Sequence, residues 1–167
     1  MPMPPHAVEL CFPDRWSLAV FSQRAFSALT PEERGALAHR FYNDTYQMDQ
    51  NACSSPQLVL WLEDGGAPAC RARWWEAVAA EAAERYPFGP FQAARKLERL
   101  CLCAMTMEQP SVAAVERYQG NLLYVARLAG LSGNLPSLAG GFGLFFEAAL
   151  PSLEALAPLL PPKAQTL

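Results

Sequence analysis

The sequence lacks the features that mark several common classes of protein. It has no excess of positive charge, since 13 Lys and Arg stand against 16 Asp and Glu, for a net charge of −3. A nucleic-acid-binding protein that relies on a basic surface normally has the opposite sign, so we set this class aside. No stretch approaches the roughly 18 uninterrupted apolar residues of a membrane span. The N-terminus also has no basic patch followed by an apolar run, which a secretory signal would show.

A cysteine framework is missing as well. An odd number of cysteines without C-x-x-C spacing argues against both a disulfide scaffold and a structural zinc site. We therefore expect no metal, and we expect reduced thiols, which are typical of a cytoplasmic protein. The 5 cysteines are Cys11, Cys53, Cys70, Cys101 and Cys103.

The sequence does contain enough apolar residues to form a substantial core. Its 167 residues are 51% hydrophobic and 17% charged, which suits one domain over residues 1–167. The 15 prolines cluster towards both ends, a pattern that is not typical of an all-helical bundle. The composition therefore predicts a single globular unit that contains more than helices.

Helical signals recur along the chain. The clearest is Thr30-Pro31-Glu32-Glu33, in which Thr30 can cap a helix, Pro31 suits its first position and Glu33 can complete a capping box. This helix should reach about Met48. Other helices are predicted at Cys70–Tyr86, Phe91–Met105 and Ser152–Leu160.

Short apolar runs between these helices predict strands. Leu58–Leu62 is a continuous apolar run followed by acidic residues and glycines, which is typical of a strand buried on both faces of a sheet. The alternation of such runs with helices predicts an α/β fold with a largely parallel sheet. Both ends of the chain lie close to a predicted strand, so we expect an incomplete fragment of a longer protein. The other predicted strands are Val8–Cys11, Trp16–Phe21, Leu122–Val125, Leu144–Phe146 and one that begins within Lys163–Leu167.

Two of the predicted helices carry notable side chains. Phe91, Ala94, Leu97, Leu100 and Ala104 share one stripe of their helix, which we expect to be buried. Cys101 and Cys103 should point away from each other, so a shared metal is not expected. Trp74 and Trp75 are expected in the core. The basic residues should form a solvated face or meet a phosphorylated ligand: Arg71, Arg73, Arg95, Lys96 and Arg99.

Cys53 is the candidate reactive residue. It lies in a polar stretch between a predicted helix and a predicted strand, where a cysteine is commonly just a small buried hydrophobe. However, a loop held by rigid elements also suits a reactive group, and Asn51 and Ser54 could orient a carbonyl oxygen. A nucleophilic thiol needs a base. His6, His39 and a residue outside this chain are the alternatives, and none is assigned.

The sequence has no G-x-G-x-x-G motif that would indicate a dinucleotide-binding loop. Its one glycine cluster, Gly140–Gly143, precedes a predicted strand rather than a helix. Because a phosphate loop should open a helix, we predict a turn at this position.

The segment around Cys53 resembles a known family. Residues Ala38–Gln57, and most specifically the Asn-Ala-Cys-Ser-Ser-Pro core at 51–56, are similar to the acyl-CoA reductase family of bacterial luminescence, LuxC. Cys11–Arg15 and Ala164–Leu167 resemble that family too, whereas the segments after about residue 65 match in layout more than in motif. The family belongs to the aldehyde dehydrogenase superfamily, in which the nucleophilic cysteine follows a helix and precedes a strand.

The resemblance implies that Cys53 is the catalytic nucleophile of an NADPH-dependent reductase that converts long-chain fatty acyl-CoA to fatty aldehyde. It also implies an aldehyde-dehydrogenase-like catalytic domain that lacks the nicotinamide-binding region and an oxyanion-hole asparagine, so the isolated chain should be inactive. Candidate partners are acyl-transferring and acyl-activating subunits of a fatty acid reductase complex, or further copies of the chain. The alternative is a non-catalytic remnant or assembly fragment.

Overall fold

The structure, a computed structural model, describes residues 15–107, 111–132 and 135–166, apart from the side chains of Pro136 and Thr166. The predicted strand Val8–Cys11 lies outside these ranges. The strands are β1 (Trp16–Ser22), β2 (Pro56–Leu62), β3 (Val112–Tyr118), β4 (Leu123–Leu128), β5 (Leu144–Leu150) and β6 (Ala164–Thr166). The helices are α1 (Gln23–Ser27), α2 (Pro31–Thr45), α3 (Cys70–Arg85), α4 (Pro90–Thr106) and α5 (Leu153–Leu156). None of them is long and apolar enough to cross a membrane.

The strands form one sheet in the order β3-β4-β5-β2-β1-β6. All neighbouring pairs are parallel except β3 and β4, which are antiparallel. The predicted α/β fold with a largely parallel sheet is therefore confirmed. The sequence did not predict β3, because this edge strand is largely exposed and has no clear apolar alternation.

Apolar side chains cover both faces of the sheet. Successive residues of β2 point to opposite faces, so Val59 and Trp61 join one core cluster while Leu58 and Leu60 join the other. Helices α2 and α3 pack on the first face, where Trp74 and Trp75 are fully buried as predicted. Helices α4 and α5 contribute side chains to the second. This burial on both faces explains why β2 reads as an uninterrupted apolar run.

Helix α2 begins as the sequence predicts. Thr30 Oγ1 accepts a hydrogen bond from the backbone amide of Glu33 at 3.2 Å, and the Thr30 amide donates to Glu33 Oε2 at 2.8 Å. The capping box is thus complete. The α-helix ends at Thr45 and continues as a 3-10 turn over Tyr46–Met48, which agrees with the predicted end near Met48.

The predicted buried stripe of α4 is wrong. Phe91 and Leu97 are 64% and 55% exposed, Ala94 and Ala104 are exposed too, and only Leu100 is half-buried. The buried positions of α4 are instead Lys96 and Cys103. The apolar residues of α4 cover much of its circumference, so periodicity alone does not decide which side meets the sheet. The side of α4 that meets the sheet carries polar groups that contact specific partners.

Lys96 is one of these groups, although the sequence predicted a solvated face or a ligand contact for it. Its side chain is fully buried, and Nζ donates hydrogen bonds to the backbone oxygens of Asn121 and Leu122, the latter at 2.9 Å. Nζ also lies 4.5 Å and 4.8 Å from the ring centroids of Phe88 and Tyr124. These contacts join α4 to the turn between β3 and β4. Burial lowers the pKa of Lys96 to about 7.

Glu147 on β5 is the buried acid of the opposite face. Its Oε2 accepts hydrogen bonds from the indole nitrogens of Trp61 at 2.9 Å and Trp75 at 2.6 Å. Arg127 Nε lies 3.7 Å from Oε1. Burial raises the pKa of Glu147 above its ordinary value, and the indole and arginine contacts only partly oppose this shift.

Candidate active site

The Cys53 loop, residues 49–55, leaves α2 in an unusual conformation. Asp49 and Gln50 are both left-handed, with φ of 51° and 61°. Each such non-glycine residue costs on the order of 1 kcal/mol. The amide of Gln50 donates to Thr45 O at 2.7 Å and that of Asn51 to Met48 O at 2.9 Å. The reversed chain is therefore held against the end of the helix.

Further hydrogen bonds fix the rest of this loop. Ser17 Oγ, at the start of β1, donates to the backbone oxygen of Cys53 at 2.7 Å, and Ser55 Oγ donates to Asp44 O at 2.6 Å. Gln57 Nε2 donates to the backbone oxygens of Gln50 and Ser55 at 3.1 Å and 3.2 Å. The Cys53 thiol is exposed, whereas the backbone that carries it is tied to β1, α2 and β2.

The thiol opens into a cleft of about 350 Å³ at one edge of the sheet. The lining comes from the start of β1, the Cys53 loop, Gln57, Leu138–Gly140 before β5, and Lys163 before β6, with Arg99 from α4. Apart from α4, these segments lie at the amino ends of parallel strands. Open α/β sheets usually bind ligands at the other end, outside the carboxyl ends of the strands. The described residues of the cleft lining include Arg15, Arg99 and Lys163 and no carboxylate, so the charge of this part of the lining favours an anionic ligand.

Arg99 bridges two walls of this cleft. One guanidinium nitrogen, Nη2, donates to Asn51 Oδ1 at 3.0 Å, and Nη1 donates to the backbone oxygen of Gly140. The Gly140 amide in turn donates to Gln57 Oε1 at 2.7 Å. Burial, with Arg95 close by, lowers the pKa of Arg99 from its ordinary value. Among the described residues, no carboxylate forms an ion pair with Arg99.

The structure separates one candidate base from Cys53. His39 is exposed on α2, where Nδ1 lies 2.6 Å from Glu81 Oε1 on α3 and Nε2 lies 3.4 Å from Asn43. It is not part of the cleft lining. His39 therefore belongs to the surface contact between two helices. His6 lies outside the described residues.

Asn51 also differs from its expected role. Its Nδ2 donates to Met48 O and Asp49 O at 3.3 Å and 3.2 Å, while its Oδ1 accepts from Arg99. The side chain is therefore engaged in shaping the loop rather than in orienting a substrate carbonyl. Ser54 is exposed but does not line the cleft that contains Cys53, and its part in orienting a carbonyl oxygen stays a prediction.

The other described cysteines lie elsewhere. Cys70 and Cys103 are buried, and burial raises the pKa of both thiols. Cys101 is exposed on α4, so the two cysteines of this helix do point in different directions. In the described part of the chain, no group of three or more His, Cys, Asp or Glu residues is placed to hold a metal ion.

The glycine cluster forms the predicted turn into β5. Gly141 and Gly143 have φ of 138° and 85°, and the Gly141 amide donates to Leu144 O at 3.3 Å. A Cβ at Gly140 would lie 2.2 Å from the Leu144 oxygen, so only glycine fits there. The sequence does not reveal that this turn, Gln57 and Arg99 form the walls of the cleft, because they converge only in the folded chain.

Comparison with known proteins gives no match to a protein-family model or to a curated protein. The solved structures that overlay on the chain include an NAD-dependent benzaldehyde dehydrogenase from Corynebacterium glutamicum, with a TM-score of 0.41 and 12% identity over 87% of this chain and 31% of that one. A betaine aldehyde dehydrogenase from Staphylococcus aureus in complex with NAD+ gives 0.46 and 12%, over 86% and 30%. The Delta-pyrroline-5-carboxylate dehydrogenase from Mycobacterium tuberculosis gives 0.42 and 12%, over 82% and 26%. The chain thus spans 26–31% of the length of these enzymes.

Proposed function

We propose that this chain is the cysteine-bearing portion of an NADPH-dependent reductase of the aldehyde dehydrogenase superfamily, which converts long-chain fatty acyl-CoA to fatty aldehyde. The observation that carries the proposal is the exposed Cys53 thiol, held on a fixed loop in a basic cleft. The Asn-Ala-Cys-Ser-Ser-Pro resemblance supports the same reaction. Acyl-transferring and acyl-activating subunits, or further copies of the chain, are proposed as partners on that resemblance alone.

The first half of this reaction needs only the cysteine and its loop. Cys53 Sγ, as a thiolate, attacks the thioester carbonyl carbon, and the bond from that carbon to the coenzyme A sulfur breaks. Coenzyme A leaves as a thiolate, which is a good leaving group, so its departure needs little acid assistance. The Cys53 amide would donate to the developing oxyanion, and the hydrogen bond from Ser17 to the Cys53 oxygen keeps that part of the backbone in place.

The charge of the cleft suits this substrate. Coenzyme A carries several phosphate oxygens, and guanidinium and ammonium groups form the strongest hydrogen bonds with such anions. Arg15 and Lys163 supply such cations beside the thiol. A neutral thioester would gain nothing from the charge of these two residues.

The second half requires a reductant, and bound NADPH would supply its two electrons to the acyl carbon. The described residues do not fit a dinucleotide cradle, because the Gly140–Gly143 turn leads into β5 and not into the N-terminus of a helix. No cofactor contact is therefore assigned to this chain. We expect the chain alone to accept an acyl group without releasing aldehyde.

Incubation with a long-chain acyl-CoA, followed by intact-protein mass spectrometry, tests the proposal. The wild-type chain should acquire one hydroxylamine-labile acyl group, which Cys53→Ser should reduce to background because it removes the nucleophile. Cys101→Ser, which removes the exposed thiol of α4, is the matched control and should acylate like the wild type. An adduct that persists in Cys53→Ser would contradict the assignment. No adduct in the wild type would favour the non-catalytic alternative.

A further inference from the structure

We propose that Arg99 is a positioning residue, which holds the Cys53 loop in the shape that accepts an acyl group. The inference rests on the proposed function of Cys53. Arg99 reaches the loop from α4, which is remote in sequence, and contacts it through the Asn51 side chain. Its second contact, with the Gly140 oxygen, anchors it to the turn before β5.

The loop needs such support because its conformation is intrinsically unfavourable. Asp49 and Gln50 are consecutive left-handed residues, a conformation that persists only where surrounding contacts impose it. Asn51 directly follows them, and its side-chain nitrogen Nδ2 donates hydrogen bonds to the backbone oxygens of Met48 and Asp49. Arg99 occupies the remaining acceptor, Asn51 Oδ1. It therefore fixes the side chain that closes the reversed turn, close to Cys53 in sequence.

The surroundings of Arg99 fit a guanidinium closely. Its Cζ lies 5.0 Å from the ring centroid of Phe142, and a Cβ at Gly141 would overlap its guanidinium. A planar group with several fixed donors can serve Asn51 and Gly140 together, whereas a lysine ammonium is a single point on a flexible stem. Among the described residues no carboxylate pairs with Arg99, and half-burying a cation without such a partner is costly.

The experiment compares two reactions of Cys53 in the full chain. Arg99→Met should slow acylation by acyl-CoA by about 10–100-fold, because small misplacement of a reacting group has effects of this size. Alkylation by iodoacetamide, which needs only an exposed thiolate, should change by less than about 3-fold. Arg99→Lys should recover only part of the acylation rate, and added guanidinium should partly rescue Arg99→Ala.

Arg95→Met is the matched control, because Arg95 lies one turn earlier on α4 and pairs with exposed Glu98. It should acylate at the wild-type rate. Acylation by a neutral acyl-N-acetylcysteamine thioester should also fall in Arg99→Met, since positioning acts on any acyl donor. If Arg99→Met slowed acylation by acyl-CoA but not by the neutral thioester, Arg99 would bind phosphate instead, and the positioning role would be overturned. Equal loss of acylation and alkylation would overturn it too.

Amide hydrogen exchange separates this inference from the proposed function. Residues 49–55 should exchange faster in Arg99→Met than in the wild type or Arg95→Met, because the Asn51 contact is lost. If the wild type accepts no acyl group, the proposed function fails. Unchanged exchange in Arg99→Met would then show that Arg99 does not hold the loop either.

Discussion

Replacing Glu147 with alanine should lower the free energy of unfolding by about 3–5 kcal/mol, because two buried indole N–H groups would lose their hydrogen-bond acceptor and a cavity would form. The Trp61 and Trp75 indole N–H groups would lose their shared acceptor in the core. Arg127 would lose its contact with Glu147 and keep its ion pair with Glu116. Urea unfolding at neutral pH measures the change through the transition midpoint, at an unchanged slope if the denatured state is unaffected.

Glu147→Gln is the matched control, because it keeps the side-chain volume and one acceptor oxygen. Glu147→Gln should lower the free energy of unfolding less than Glu147→Ala does.

Glu147 should also affect the pH dependence of stability. The pKa of Glu147 is raised above 4.5 in the folded state, so the folded protein binds the proton more tightly than the unfolded chain does. The contribution of Glu147 to wild-type stability should therefore be greatest below the ordinary carboxyl pKa and fall as pH rises through the raised pKa. Glu147→Gln should lack this fall, and parallel profiles for the two proteins would refute the expected titration.

Lys96→Met should change the pH dependence of stability on the alkaline side. The folded-state pKa of Lys96 is about 7 against an ordinary 10.5, so between these values the unfolded chain binds more protons. The contribution of Lys96 to wild-type stability should therefore rise with pH in this window, by up to about 1.4 kcal/mol per pH unit. Methionine keeps the packing of the stem without the charge, so the variant should lack this rise.

The measurement is the difference in unfolding free energy between wild type and Lys96→Met from pH 7 to pH 10. Methionine also leaves the backbone oxygens of Asn121 and Leu122 without their donor, a loss that should be constant over this range. A pH-independent difference would mean that the two carbonyls and the two aromatic rings keep Lys96 protonated as in water.

The accuracy of sequence-based prediction varied with the range of the interactions involved. The capping box of Thr30 and Glu33 was correct because it depends on residues within one turn. β2 was predicted correctly because burial on both faces leaves a continuous apolar run. α4 was placed correctly along the chain, but its buried side was not, since Lys96 and Cys103 face the sheet instead of the apolar stripe.

The same distinction between local and long-range interactions applies to the candidate site. Its position between a helix and a buried strand, and the polar flanks of Cys53, are local properties that the sequence displays. The sequence does not display the role of Asn51, because the Asn51 side chain bonds both to the loop backbone and to Arg99, which is remote in sequence. The sequence offers His39 as a candidate base, and only the fold shows that His39 contacts Glu81 on α3.

By itself, the sequence determined the alternation of helices and strands, the start of α2 and the loop that carries Cys53. Periodicity, capping and turn chemistry act over a few residues, so a single chain displays them directly. The tertiary structure alone decided which residues surround the thiol. The contact between Arg99 and Asn51 spans 48 positions, and that between Gly140 and Gln57 spans 83. Such contacts follow from the order and register of the sheet, which bring the amino ends of β1, β2, β5 and β6 to one edge. No local pattern encodes that convergence.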